Sequence, residues 1–148
     1  RDFAENRPRF LIWENPVYNN LAQFGPDPME ELIAAAGQSC TEVLPARITA
    51  DKTLTVDLAG LALTAQDTVL ADLGQDGGRR VDFVFRTVSG IARHAVMQRD
   101  DRMMASGRFY KSLGTLWHPD LQSLSVTFDQ PVTTATSLTL CRSGKEPL

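Results

Sequence analysis

The chain has 148 residues, 43% hydrophobic and 22% charged, with a formal net charge of −3. That length suits one domain with one core of ordinary size, and the balance excludes wholesale disorder. Three lysines and a sequence pI near 5.3 argue against nucleic acid as a partner, and no apolar run of 18 residues is present to span a membrane.

The charge is unevenly placed. Residues 1–75 carry five Lys/Arg against eleven Asp/Glu, whereas residues 76–148 carry ten against seven. The basic excess is densest in Arg79–Lys111, with eight basic residues to three acidic. It reads either as the solvated face of a half-exposed sheet or as a patch for an anionic partner, centred on Arg80, Arg86 and Arg93.

The chain opens at Arg1 rather than Met and shows no signal peptide, so it reads as a mature or excised piece of a longer protein. A membrane anchor is expected, if anywhere, outside this piece. Arg1–Arg9 is a charged lead-in, and Phe10–Trp13 is an apolar run too short to classify. Asn15-Pro16 then resembles a helix start, with Val17, Leu21 and Phe24 at helical spacing and Gly25 closing it. The device repeats at once. Asp27 caps, Pro28 opens, Glu30 completes a capping box, Gly37 ends the turn, and Met29, Leu32, Ile33 and Ala36 form the apolar face. Two short helices are expected, packed across one open end of the β-rich remainder of the chain.

From Thr41 the texture is β. Glu42–Ile48 reads as a strand interrupted at Pro45, hence at an edge. Thr53–Leu58 alternates, Leu61–Thr64 resumes, and Thr68–Leu73 makes another strand. Gln75-Asp76-Gly77-Gly78 reads as a tight hairpin turn. In Arg79–Val88, Val81, Phe83 and Phe85 share one face and Arg80, Asp82 and Arg86 the other. Ser89–Ser106 fits either a helix or two strands around a tip at Arg99–Arg102, and the surrounding texture favours strands. Gly107–Tyr110 and Thr115–Trp117 lead through a turn at His118-Pro119-Asp120 into a hairpin-like final pair, Ser123–Phe128 and Thr136–Arg142, split by Asp129–Pro131. About eight such strands make an α+β chain, predominantly antiparallel β. The expected form is a jelly-roll-like β-sandwich over 41–142, with two short N-terminal α-helices in 1–40 and a tail at 143–148.

Chemistry is less legible than fold. Cys40 and Cys141 are too far apart for a C-x-x-C motif, which leaves two buried thiols or a disulfide. The disulfide is the expectation, and it implies an oxidising, extracytoplasmic compartment, periplasmic or secreted. His94 and His118 lack ligand spacing, so no metal site is expected; a turn calcium site near Asp76 or Asp100-Asp101 is weaker than a solvated turn. No nucleophile elbow, phosphate loop or cofactor motif is present, and an enzyme is the least supported class.

Recognition by a surface remains. Aromatic and polar residues crowd between Arg108 and Asp120, and Tyr110, Trp117, His118, Asp120 and Arg108 are the candidate ligand-binding set. A sugar lays its C–H face on such rings while polar groups take its hydroxyls. Against this, large aromatics are mostly core residues. The functional expectation is a non-catalytic extracytoplasmic accessory or binding domain of a larger membrane-associated or secreted protein, recognising glycan. The alternative is a protein–protein assembly domain that uses the Arg-rich face.

Overall fold

A computed structural model describes residues 27–99 and 106–143. Helix α1 (Asp27–Gly37) leads into β1 (Gln38–Val43), β2 (Arg47–Ala50), β3 (Thr53–Asp57), β4 (Thr68–Asp72) and β5 (Arg80–Thr87). Then come β6 (Ala92–Gln98), β7 (Arg108–Ser112), β8 (Leu121–Phe128) and β9 (Ser137–Ser143). They form a four-stranded sheet in the order β1-β9-β4-β7 and a five-stranded sheet in the order β2-β3-β8-β5-β6. Every pairing is antiparallel. With β2 taken as an added outer strand, the chain crosses from one sheet to the other at every connection but that from β5 to β6.

Period-2 alternation builds the core. Val81, Phe83 and Phe85 on β5 are fully buried, and Leu124, Val126 and Phe128 join them from β8. Val69, Ala71, Phe109, Leu138 and Leu140 meet them from the other sheet. Each large side chain so buried stabilises the fold by ~1.5–3 kcal/mol relative to exposure.

Several turns that read as hairpins are crossings between sheets. The final pair, β8 and β9, lies in opposite sheets, because each strand has one apolar face and both faces must meet across the core. The same holds at Gly77-Gly78, which carries the chain from β4 to β5. Pro45 likewise divides the expected single strand into β1 and β2, edges of different sheets. True hairpins lie elsewhere: β2 and β3 join through Asp51-Lys52, and β5 and β6 join through Val88–Ile91, with Gly90 at φ 88° and Thr87 N–H donating to Ile91 O. Ser89 therefore starts a turn, and Ala92–Gln98 is strand, as the surrounding texture favours. Of the expected tip at Arg99–Arg102, Asp100–Arg102 lie outside the described residues. Leu61–Thr64 is not a strand; it belongs to a long loop between β3 and β4.

One α-helix, not two, occurs among the described residues, and the expected helix at Asn15–Gly25 falls outside them. Helix α1 does not close an open end. It lies against the outer face of the four-stranded sheet, where Ala34 meets Leu70, Tyr110 and Cys141. Glu30 also departs from its capping-box role. Its carboxylate takes a bond from Lys111 Nζ at 2.8 Å and from the Ser112 N–H at 2.7 Å, clamping the helix to edge strand β7. A charged donor and an edge amide outcompete the local backbone for that carboxylate.

Cys40 and Cys141 form a disulfide between β1 and β9, beneath the same helix. Nearby, burial pushes the Tyr110 phenol above its ordinary 10.0; Glu31 and Asp72 add to the rise, while Arg108 and Arg99 oppose it. The sign comes from the neutral form being the one the fold favours. The resulting stability is fully present below pH 10 and is lost as pH rises through the raised value. A tyrosinate absorbance titration should show a late component that Tyr110→Phe removes. A titration unchanged by that substitution would contradict the burial argument.

Candidate functional site

The loop after β3 and the turn before β8 meet at one end of the sandwich and enclose a cleft of about 240 Å³. Leu58, Gly60, Ala62 and Leu63 form one wall; Trp117, His118, Pro119 and Leu121 form the other. Trp117 is half-buried. One side of its indole packs against the main core, and its Nε1–H donates to Leu63 O at 2.9 Å. The ring is thus a fixed wall of the cleft rather than a mobile surface group.

Two arginines hold the lips. Arg142, from β9, donates through Nη1 to Ala62 O at 3.2 Å and through Nη2 to Leu61 O. Its Nε reaches Glu42 at 2.9 Å, and Asp67 lies 3.8 Å from Nη1. Arg93, from β6, donates through Nη1 to Thr115 O at 2.8 Å and to Trp117 O at 3.3 Å. Carbonyls that would otherwise face water are thereby tied to charged donors, which makes for strong bonds. Within the first lip Gly60 has φ 81° and Ala62 φ 50°. A non-glycine residue there costs ~1–2 kcal/mol, a strain that the Arg142 and Leu63 bonds around it help to hold.

His118 stands at the rim. Its Nδ1 accepts the Asp120 N–H at 3.0 Å, so in this geometry the ring proton sits on Nε2, free to donate to an occupant. The chemistry on offer is an indole wall, aliphatic surroundings and one imidazole donor. Chemically, that set is complementary to a small ring with an apolar face and hydroxyls.

Of the expected ligand set, the structure gathers Trp117, His118 and Asp120 at this end. Tyr110 and Arg108 are elsewhere, on the outer face of β7. Tyr110 is 7% exposed beneath α1, and Arg108 lies 3.6 Å from Asp72. The expected Arg face is also divided. Arg80 and Arg86 are exposed on the outer side of β5, with Arg80 3.2 Å from Asp82. Arg93 pairs with Phe85 in register, so its side chain points the other way, toward the cleft lip. Sequence reasoning missed Leu58–Leu63 and Arg142 as parts of the site. The interruption between Thr53–Leu58 and Leu61–Thr64 is legible in the sequence, but not that its loop faces the turn before β8.

Among the described residues no helix is long and apolar enough to cross a membrane, and no group of three or more His, Cys, Asp or Glu is placed to hold a metal. No family model and no curated protein matches the sequence. The fold, however, is found in a solved structure. AlgX of Pseudomonas aeruginosa is similar over 97% of this chain, with a TM-score of 0.63 and 16% identity. The chain covers 37% of the length of AlgX in that comparison. At that identity the likeness is one of fold.

Proposed function

We propose that this chain is a non-catalytic, extracytoplasmic accessory domain of a larger protein, and that it binds a glycan unit in the Trp117 cleft. The observation that carries the reading is the half-buried Trp117 ring, fixed at Leu63 O and forming one wall of an open cleft beside the His118 donor. Its volume lies below the ~300–1,000 Å³ of sites for drug-sized ligands, which suits one sugar ring or a chain end. The Cys40–Cys141 disulfide supports an oxidising compartment. The fold's occurrence as part of a longer chain supports an accessory role.

The test is binding to an array of defined oligosaccharides. Trp117→Ala should weaken binding at least ~30-fold, as for a central aromatic anchor. It will also lower the melting temperature, because the ring touches the core. His118→Ala removes a rim group outside the core, together with the acceptor of the Asp120 N–H, so it should weaken binding with the melting temperature nearly unchanged. Arg80→Ala with Arg86→Ala should leave binding intact. Absence of any glycan bound by the wild type, or loss of binding on removing the two arginines instead, would overturn the cleft and favour assembly through the outer sheet face.

A further inference from the structure

Sheet edges invite pairing with other chains, and folds commonly blunt them. Three of the four edges here are blunted. On β7 the outward Ser112 N–H is taken by Glu30, the Arg108 N–H by Ser106, and the Arg108 carbonyl by Arg99. Strand β1 carries a register shift and lies beside α1, and β2 has four residues with a shift of its own.

Strand β6 has none of these devices. It runs seven residues, Ala92–Gln98, in unbroken register with β5. The bonds from Thr87 N to Ile91 O and from Arg99 N to Arg79 O set its phase. Odd-numbered residues therefore bond to β5, and the N–H and C=O groups of Ala92, His94, Val96 and Gln98 point away from the sheet. None of them has a partner among the described residues. Val96 on this strand is 52% exposed, and Ile91, just before it, is 53% exposed.

We propose that β6 is an interaction edge, and that its occupant is β6 of a second copy, paired antiparallel about a two-fold axis through Ala95. The sequence of the strand is self-complementary in that register. His94 faces Val96 of the other copy, Ala92 faces Gln98, and Arg93 faces Met97, so no like charges are opposed. The two Val96 side chains become diagonal neighbours on the outer face and cover each other. Ala95 meets Ala95 at the non-hydrogen-bonded position, where strands approach most closely and a small side chain fits. Arg93 is no obstacle, because its guanidinium is turned to the Thr115 and Trp117 carbonyls. The result is one continuous sheet across both copies.

Sedimentation over a concentration series tests this. The wild type should pass from the 16.3 kDa monomer to a dimer as concentration rises. Val96→Pro removes an N–H that β5 does not use, so it should hold the protein monomeric. Val96→Lys, which sets like charges beside each other across the axis and leaves the backbone intact, should do the same. Amide exchange at His94 and Val96 should slow as the dimer forms, while Ala95 and Met97 stay protected throughout. A wild type that remains monomeric at every concentration, or a dimer that survives both substitutions, would overturn the proposal. So would dimerisation without new protection at His94 and Val96.

Discussion

Removing the disulfide by combining Cys40→Ala with Cys141→Ala should lower unfolding stability by about 4–5 kcal/mol, a large share of what a domain holds. The bridge closes a loop of sequence separation 101, enclosing nearly all of the β region. In the chain-entropy account its main effect is on the unfolded chain, which loses many conformations when its ends are tied. Alanine is the right replacement. Cys141 is fully buried in the small cluster with Ala34, Leu70 and Tyr110, where a serine hydroxyl would lack solvent. Urea unfolding of the oxidised wild type and the double variant should show a lower midpoint. It should also show a steeper slope, as the freed unfolded chain exposes more surface. A loss below ~1 kcal/mol would mean that the unfolded chain stays compact around this region without the bridge.

The second large effect is expected at the centre of the core. Phe83 is fully buried on β5, between β8 and β6, with its ring 6.5 Å from that of Phe85. Phe83→Ala leaves a cavity lined by residues of both sheets and should cost ~3–5 kcal/mol. For a chain of this size that lowers the melting temperature by roughly ten degrees or more. Arg86→Ala, three residues along the same strand but on its outer face, should change stability by no more than ~0.5 kcal/mol. Scanning calorimetry of the pair checks the alternation directly. Comparable losses at both positions would contradict the assigned faces of β5.

How much of the fold can be read from the sequence depends on the range of the interaction. Alternation is local, so Val81-Phe83-Phe85 and Leu124-Val126-Phe128 are legible as core from their own neighbours. Helix α1 is bounded by its Asp27-Pro28 start and Gly37 stop, again local signals. Which strand pairs with which is not local. A turn such as Gln75–Gly78 has the same residues whether it folds a strand back on itself or carries it to the other sheet, and the hairpin reading fails there. The site shows the same division. Trp117, His118 and Asp120 are adjacent in sequence and stay together in space. Tyr110 and Arg108 look equally close, but β7 places them on the far side of the sandwich. The opposite wall, Leu58–Leu63, and its brace Arg142 are separated from Trp117 and from each other by whole strands, so no spacing rule could join them. Glu30 is a related case: its local capping signal is outweighed by Lys111, 81 positions away.

Whether an occupant sits in the cleft at Trp117 is tested most directly by titrating isotope-labelled protein with the strongest oligosaccharide found on the array, following its amide and indole signals. The indole N–H of Trp117 should shift, together with the amides of Gly60–Leu63 and of His118, Asp120 and Leu121, while signals from Arg80, Arg86 and His94 stay in place. Shifts confined to the outer face of β5 and β6, or a Trp117 indole that does not respond at saturation, would contradict it.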